Sequence, residues 1–397
     1  MAKRLVVFTL LLAAAVSVMI PIIHRLVDEP ISPNATTDVA GILGSDDTTG
    51  YERAIEVRPL RFPRDHGPHP LFRSEWWYFT GNLQNAAGRR FGYQLTIFRF
   101  ALRPEVPVRI SAWATNQVFM GHFAVTDSAS GHFYQTERLS RQALGLAGAE
   151  AEPVRVWIEN WSIEAMDDDP SVWRLTATLN DVALQLRLHP LKPIVLQGDQ
   201  GLSQKSAEAG NASYYYSLTR LASQGTLSIG GEAFTVSGES WMDREWSTSA
   251  LAPDQVGWDW FALQLDDGYE LMFYQLRRRS GNPHPSSQGV LVDPRGTVQR
   301  LPAQELHITV HDQWKSPTGA LYPAQWTLTH PSSQLQLDVR PVLANQELKG
   351  SVHYWEGAVD VRGWHRGVPV TGWGYVELTG YGAQIDKRRS GRRLAPR

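Results

Sequence analysis

The period of the apolar residues is the strongest constraint on this chain. Val182, Leu184, Leu186 and Leu188 alternate with Ala183, Gln185 and Arg187. Leu335, Leu337 and Val339 alternate with Gln336 and Asp338, and Val154, Val156 and Ile158 with Arg155, Trp157 and Glu159. A period of two sends successive side chains to opposite faces, so these runs read as half-buried strands. Turn residues separate such runs, as at Asp266-Asp267-Gly268, Asp293-Pro294-Arg295-Gly296 and Gly230-Gly231. That punctuation belongs to antiparallel hairpins. No amphipathic helix longer than a few turns interrupts it, so the expected class is all-β.

The pattern also repeats. Trp76-Trp77-Tyr78-Phe79, followed by Leu83, Gly88 and a strand ending at Arg99, matches Trp258-Asp259-Trp260-Phe261, followed by Leu265, Gly268 and a strand ending at Arg277. The segment from Gly121 to Asp127, with Gly131, echoes Gly289 to Asp293 with Gly296. Phe234 to Gly238, leading to Trp241 and Asp243, parallels Val368 to Gly372, leading to Tyr375 and Glu377. Three matches in one order predict two related β-domains, 71–247 and 248–386. Serial antiparallel strands must deal with their exposed edges, and closing each sheet into a barrel does so completely. A barrel of about eight to ten strands can hold one small apolar ligand, whereas the other reading of the pattern is a solid sandwich with no cavity.

The two ends differ from this body. Lys3 and Arg4 precede an uncharged apolar run of 19 residues, Leu5 to Ile23. It predicts an N-terminal helix over 1–23 that is either an uncleaved signal anchor or a signal peptide, with the remainder on the periplasmic side of an inner membrane or secreted to the periplasm. Residues 24–70 are rich in turn formers and read as a flexible tether. Residues 387–397 form a basic tail.

Composition removes several function classes. A formal net charge of −2 over 397 residues gives no electrostatic footprint for nucleic acid. The absence of Cys excludes disulfides, thiol nucleophiles and iron–sulfur clusters. No phosphate-binding loop or Gly-x-Ser-x-Gly elbow occurs, and the pairs His66/His69 and His307/His311 lack a third ligand at recognisable spacing. No metal and no cofactor is therefore expected.

Fifteen Trp remain to be explained, and many flank acids. On a strand over 240–246, Trp241, Asp243 and Glu245 share one face, while Met242, Arg244 and Trp246 take the other. Two carboxylates at i, i+2 sit about 6–7 Å apart, a spacing suited to acid and base work across a small substrate. An apolar wall of Trp would keep one of them protonated. The other reading pairs both with Arg from neighbouring strands or turns them to water at a barrel mouth. Asp259 lies between Trp258 and Trp260, whose faces can stabilise a developing cation. Asp243, Glu245 and Asp259 are thus the candidate catalytic residues. Trp241, Trp246, Trp258, Trp260, Glu75, Trp77 and Tyr274 are the candidate ligand-binding residues. The competing role for the Trp at the strand starts is to plug their barrels.

At these residues the sequence resembles a known family. His69 to Gly81, Glu239-Ser240-Trp241-Met242-Asp243-Arg244-Glu245-Trp246, Gly257 to Phe261, Trp355 to Val359 and Gly374 to Tyr381 together resemble the AttH-like and carotenoid 1,2-hydratase family over about residues 65–385. The resemblance implies two lipocalin-like barrels side by side. It implies a function from a mixed set: water addition to the terminal double bond of acyclic carotenoids, hydratase or cyclisation activity in eukaryotic relatives, and exported bacterial members encoded beside ABC transporter permeases. One departure is Arg244, where many relatives are expected to carry His between the Asp and the Glu, so a proton-shuttling His is missing there. The leading expectation is an exported protein that binds a hydrophobic lipid or isoprenoid near the domain interface, tethered by its N-terminal helix and partnered by a transporter permease. The alternative is a hydro-lyase acting on an alkene of an acyclic isoprenoid.

Overall fold

The computed structural model describes residues 48–106, 108–249 and 251–382. The expected N-terminal helix, the first part of the tether up to residue 47 and the basic tail lie outside the described residues.

Two antiparallel sheets contain nearly all the regular structure. The first holds β1 (Ser74–Asn85), β2 (Arg90–Ala101), β3 (Gln117–Asp127), β4 (His132–Arg141), β5 (Ala147–Ala151), β6 (Val154–Ile158), β7 (Trp161–Ala165), β8 (Trp173–Leu179), β9 (Val182–Pro190), β10 (Val195–Leu196), β11 (Leu202–Gln204), β12 (Ala212–Ile229) and β13 (Glu232–Ser247). The second holds β14 (Gln255–Leu265), β15 (Glu270–Arg278), β16 (Gln288–Val292), β17 (Val298–Pro302), β18 (His307–Lys315), β19 (Leu321–His330), β20 (Leu335–Pro341), β21 (Glu347–Lys349), β22 (His353–His365) and β23 (Val368–Leu378).

The two sheets close in the same way. In each, the first strand pairs with the last, β1 with β13 and β14 with β23, and the hydrogen-bonded path breaks after the fourth strand. The sheets curl in a barrel-like way, each around its own core. Trp77, Phe79, Leu95, Trp161 and Trp173 help fill the first, and Phe261, Trp326, Leu337, Trp355 and Val376 the second. The register gives the two sheets matching pairs. Tyr78 stands opposite Asp243 in the first sheet, and Trp260 stands opposite Glu377 in the second.

The stretch up to Pro70, read from sequence as tether, is not free where it is described. Ala54, Asp65 and His66 are buried against the first sheet. This segment supplies carbonyls to donors that the sheet buries. Trp77 Nε1 donates to His66 O at 2.7 Å, and Arg244 Nη2 donates to Gly67 O at 2.6 Å. Buried donors need such partners, and turn-rich backbone provides them without a ladder of its own.

Candidate active site between the sheets

The two sheets meet along the outward faces of β1, β2, β13, β14, β22 and β23. Tyr78 OH donates to Glu356 Oε1 at 2.6 Å and Asn82 Nδ2 to Gly374 O at 3.1 Å, tying the halves together. Where the strands diverge, a cavity of about 770 Å³ opens, its solvent mouth included. Its wall comes from both sheets: Trp76, Tyr78, Phe98, Lys205, Tyr215, Asp243, Glu245 and Leu251, and from the second Trp258, Trp260, Tyr274, Leu276, Tyr354 and Glu377. An apolar concavity with a few converging polar groups is the usual form of a small-molecule site.

Asp243 is held by three donors. Ser217 Oγ and Trp241 Nε1 donate to Oδ1 at 2.5 and 2.7 Å, and Tyr215 OH donates to Oδ2 at 2.5 Å. Trp260 Nε1 in turn donates to Tyr215 OH at 3.3 Å. Burial pushes the Asp243 carboxyl up to about 7; the three donors oppose that and the nearby Glu245 charge adds to it. Glu245 lies 3.0 Å from Lys205 Nζ. Burial disfavours the Lys205 ammonium, but Glu245 and Tyr274 together outweigh it and hold the amine above its usual value. Lys205 Nζ also sits 4.3 Å from the centre of the Tyr274 ring.

The second sheet answers with Glu377, which accepts a hydrogen bond from Trp258 Nε1 at 2.9 Å. Burial pushes it up to about 8, opposed by Trp258 and helped by the charges of Asp243 and Glu245. Glu356 stands opposite Glu377 across β22 and β23, and burial together with that neighbour drives it well above the carboxylate range. Its buried Oε2 has no hydrogen-bond partner among the described residues. Because Glu377 binds a proton in the folded state that the unfolded chain releases near pH 4.5, its stabilising contribution is lost as pH rises from there through about 8. Glu377→Gln keeps both hydrogen-bonding roles without titrating. It is expected to raise stability at pH 8 by a few kcal/mol, since each tenfold difference in proton affinity between the folded and unfolded chain is worth about 1.4 kcal/mol. Paired thermal melts check this, with the gain vanishing near pH 4.

The candidates read from sequence divide by face. Asp243, Glu245, Trp258, Trp260 and Tyr274 come together on the cavity wall, and Trp241 backs it, edge-on to Trp260 at 6.3 Å. Glu75, Trp77, Trp246 and Asp259 do not reach it, because alternate residues turn them into the sheet interiors. Glu75 is fully buried between Arg99 and Arg244, and the Arg244 guanidinium lies 3.9 Å from the centre of the Trp77 ring. Trp246 stacks on His69 at 3.8 Å. Asp259 is bound by Arg277 Nε at 2.9 Å and Tyr381 OH, so it is not poised to activate water in the cavity. Arg99 and Arg277 occupy equivalent places in the two repeats, each neutralising a buried acid.

Sequence reasoning missed Glu377, Glu356, Lys205, Tyr215 and Tyr354 as site residues; Glu356 and Glu377 stand in Gly/aromatic strands, 355–359 and 374–381, whose local pattern announces only packing. The repeat offered the signal for Glu377, since it aligns that residue with Asp243. Tyr354 is fixed by His122 Nδ1 at 2.7 Å and Gln94 Nε2 at 3.0 Å, partners that no local pattern announces.

The AttH-like family profile matches residues 53–381. The chain belongs to the AttH-like family. Among solved structures, an AttH from Nitrosomonas europaea is 33% identical, with a TM-score of 0.74 over 83% of this chain and 99% of that one. Kievitone hydratase from Nectria haematococca shares the fold at 16% identity and a TM-score of 0.65, covering 83% of this chain and 96% of its own. CghA crystallised with Sch210972 shares it at 14% identity and a TM-score of 0.51, covering 86% and 97%. No curated protein gives a significant match. In this AttH-like chain the departure at Arg244 changes meaning: its side chain enters the first sheet's interior, so a His on the same backbone would not touch the cavity either.

Proposed function

We propose that this AttH-like protein is an acid–base catalyst of the hydro-lyase kind, adding water to an alkene of a hydrophobic isoprenoid-like molecule bound between the sheets, or eliminating it from the corresponding alcohol. The observation that carries this reading is Asp243, a carboxyl raised to about 7 on the wall of an aromatic cavity. A general acid is most effective when its pKa lies near the working pH. In the hydration direction, the Asp243 proton passes to the less substituted alkene carbon. The cation left on its neighbour is faced by the rings of Trp76, Trp258 and Trp260. Water adds to that carbon and yields a proton to Glu245, which lies 3.0 Å from Lys205 Nζ. Glu377 supplies a second proton-bearing wall. The name of one protein of the same fold, kievitone hydratase, supports this choice of chemistry.

A rate that depends on protonated Asp243 falls above about pH 7, tenfold for each further pH unit, and stays flat below it. The reading is tested by incubating the full chain with acyclic isoprenoid alkenes in deuterated water. The expected product is an alcohol with one carbon-bound deuterium, and neither hydration nor exchange at any pH between about 5 and 9 would overturn the proposal. A second reading, a carrier that binds the same ligand without chemistry, is favoured by the three donors that immobilise Asp243. It predicts ligand retained intact in native mass spectrometry.

A further inference from the structure

The loop joining β2 to β3, residues 102–116, is unlike its counterpart in the second repeat. Its described residues, 102–106 and 108–116, form no strand or helix, and long connections of that kind are commonly functional. It exposes Val106, Val108, Ile110 and Trp113, with Val108 and Ile110 at 103% and 108% of full exposure. The equivalent connection in the second sheet, 279–287, contains no large apolar residue. Around the exposed side chains, Arg103, Arg109 and Arg141 line one shallow depression. None of the three has an acidic partner among the described residues, and Glu105 is the loop's own single acid.

Exposed aliphatic residues and a Trp ringed by unpaired arginines have the composition of a surface that enters the interfacial zone of an anionic bilayer. Two placements agree with that occupant. The loop leaves β2 four residues beyond Phe98, about 13 Å along the strand, and Phe98 lines the cavity. The chain also enters the described structure beside it: Tyr51 OH donates to Ala101 O at 2.8 Å, and Pro104 lies so close to Gly50 that a Cβ there would sit 2.7 Å from it. The apolar run Leu5 to Ile23 lies upstream of that entry point in the sequence.

We infer that the 102–116 loop docks on an anionic lipid surface and turns the cavity mouth toward it. Docking stands on the loop alone; its use as an entrance for apolar substrate rests on the proposed function. The chain has no Cys, so Ile110→Cys in the full-length protein accepts a polarity-sensitive fluorophore at that site alone. Vesicles containing phosphatidylglycerol are expected to shift its emission to the blue, while the same label at Val368→Cys, the exposed first residue of β23 in the second sheet, does not respond. Arg103→Ala, Arg109→Ala and Arg141→Ala are each expected to weaken the response about fivefold, the effect of one basic residue at a charged surface. Unchanged emission at 110 while the chain still sediments with vesicles would assign binding to another segment and overturn the inference, as would an equal shift on pure phosphatidylcholine or no binding at all. None of these failures affects deuterium incorporation from detergent-dispersed substrate, which tests the chemistry separately.

Discussion

Glu75→Ala is expected to destabilise the protein by about 3–5 kcal/mol, the cost of leaving a buried charge without its partner. Glu75 is completely buried and ion-paired to both Arg99 and Arg244, with His69 Nδ1 at 3.3 Å. Burial alone would raise its pKa, but the two guanidiniums and His69 outweigh that and hold it far below the usual range. Its removal strands two arginines in the wall of the first core, where Arg244 also lies against Trp77. The sign of the pH dependence follows from the lowered pKa. The stabilisation is complete above about pH 4.5, where the unfolded glutamate is ionised, and is lost as pH falls through the folded value. Urea unfolding at pH 7 measures the loss. A midpoint that matches the parent would show that Arg99 and Arg244 are neutralised some other way. With total stabilities of order 5–15 kcal/mol, such a change approaches global unfolding.

Asp243→Asn is expected to reduce turnover by at least about 10²-fold while leaving the fold intact, the usual scale for losing a positioned general acid. Asn has the same shape and keeps an acceptor for Ser217 and Trp241, so the melting temperature serves as the control for folding. The variant should also lose the fall in rate above about pH 7. Asp259→Asn separates the two kinds of buried acid. Its side chain binds Arg277 and Tyr381 away from the cavity, so it should lower stability and leave the catalytic constant unchanged. Full turnover with Asn at 243, or a selective loss of rate with Asn at 259, would remove Asp243 from its assigned role.

The contrast between these acids shows how far the sequence could be read. The facing of 240–246 was accessible, because strand parity is a local property: Asp243 and Glu245 share a face, and Arg244 points away from it. The equivalence of Asp243 and Glu377 was accessible too, through the repeat. Lys205 was not. It comes from the chain after β11, and only the pairing of β11 with β12 carries it toward Glu245. His122 and Tyr354 are separated by 232 positions and meet because the two sheets pack together.

By itself, the sequence determined the all-β class, the duplication and the alternation within each strand, since these follow from side-chain period and turn chemistry. Only the tertiary structure decided which face of the central strands meets a core and which meets the other sheet. From Trp241 to Ser247 every residue of β13 is buried. A strand buried on both sides loses the polar and apolar alternation that reveals its orientation. That is why Glu75, Trp77, Trp246 and Asp259 could stand in sequence beside the cavity residues and yet be carried, by one half-turn of the strand, into the cores.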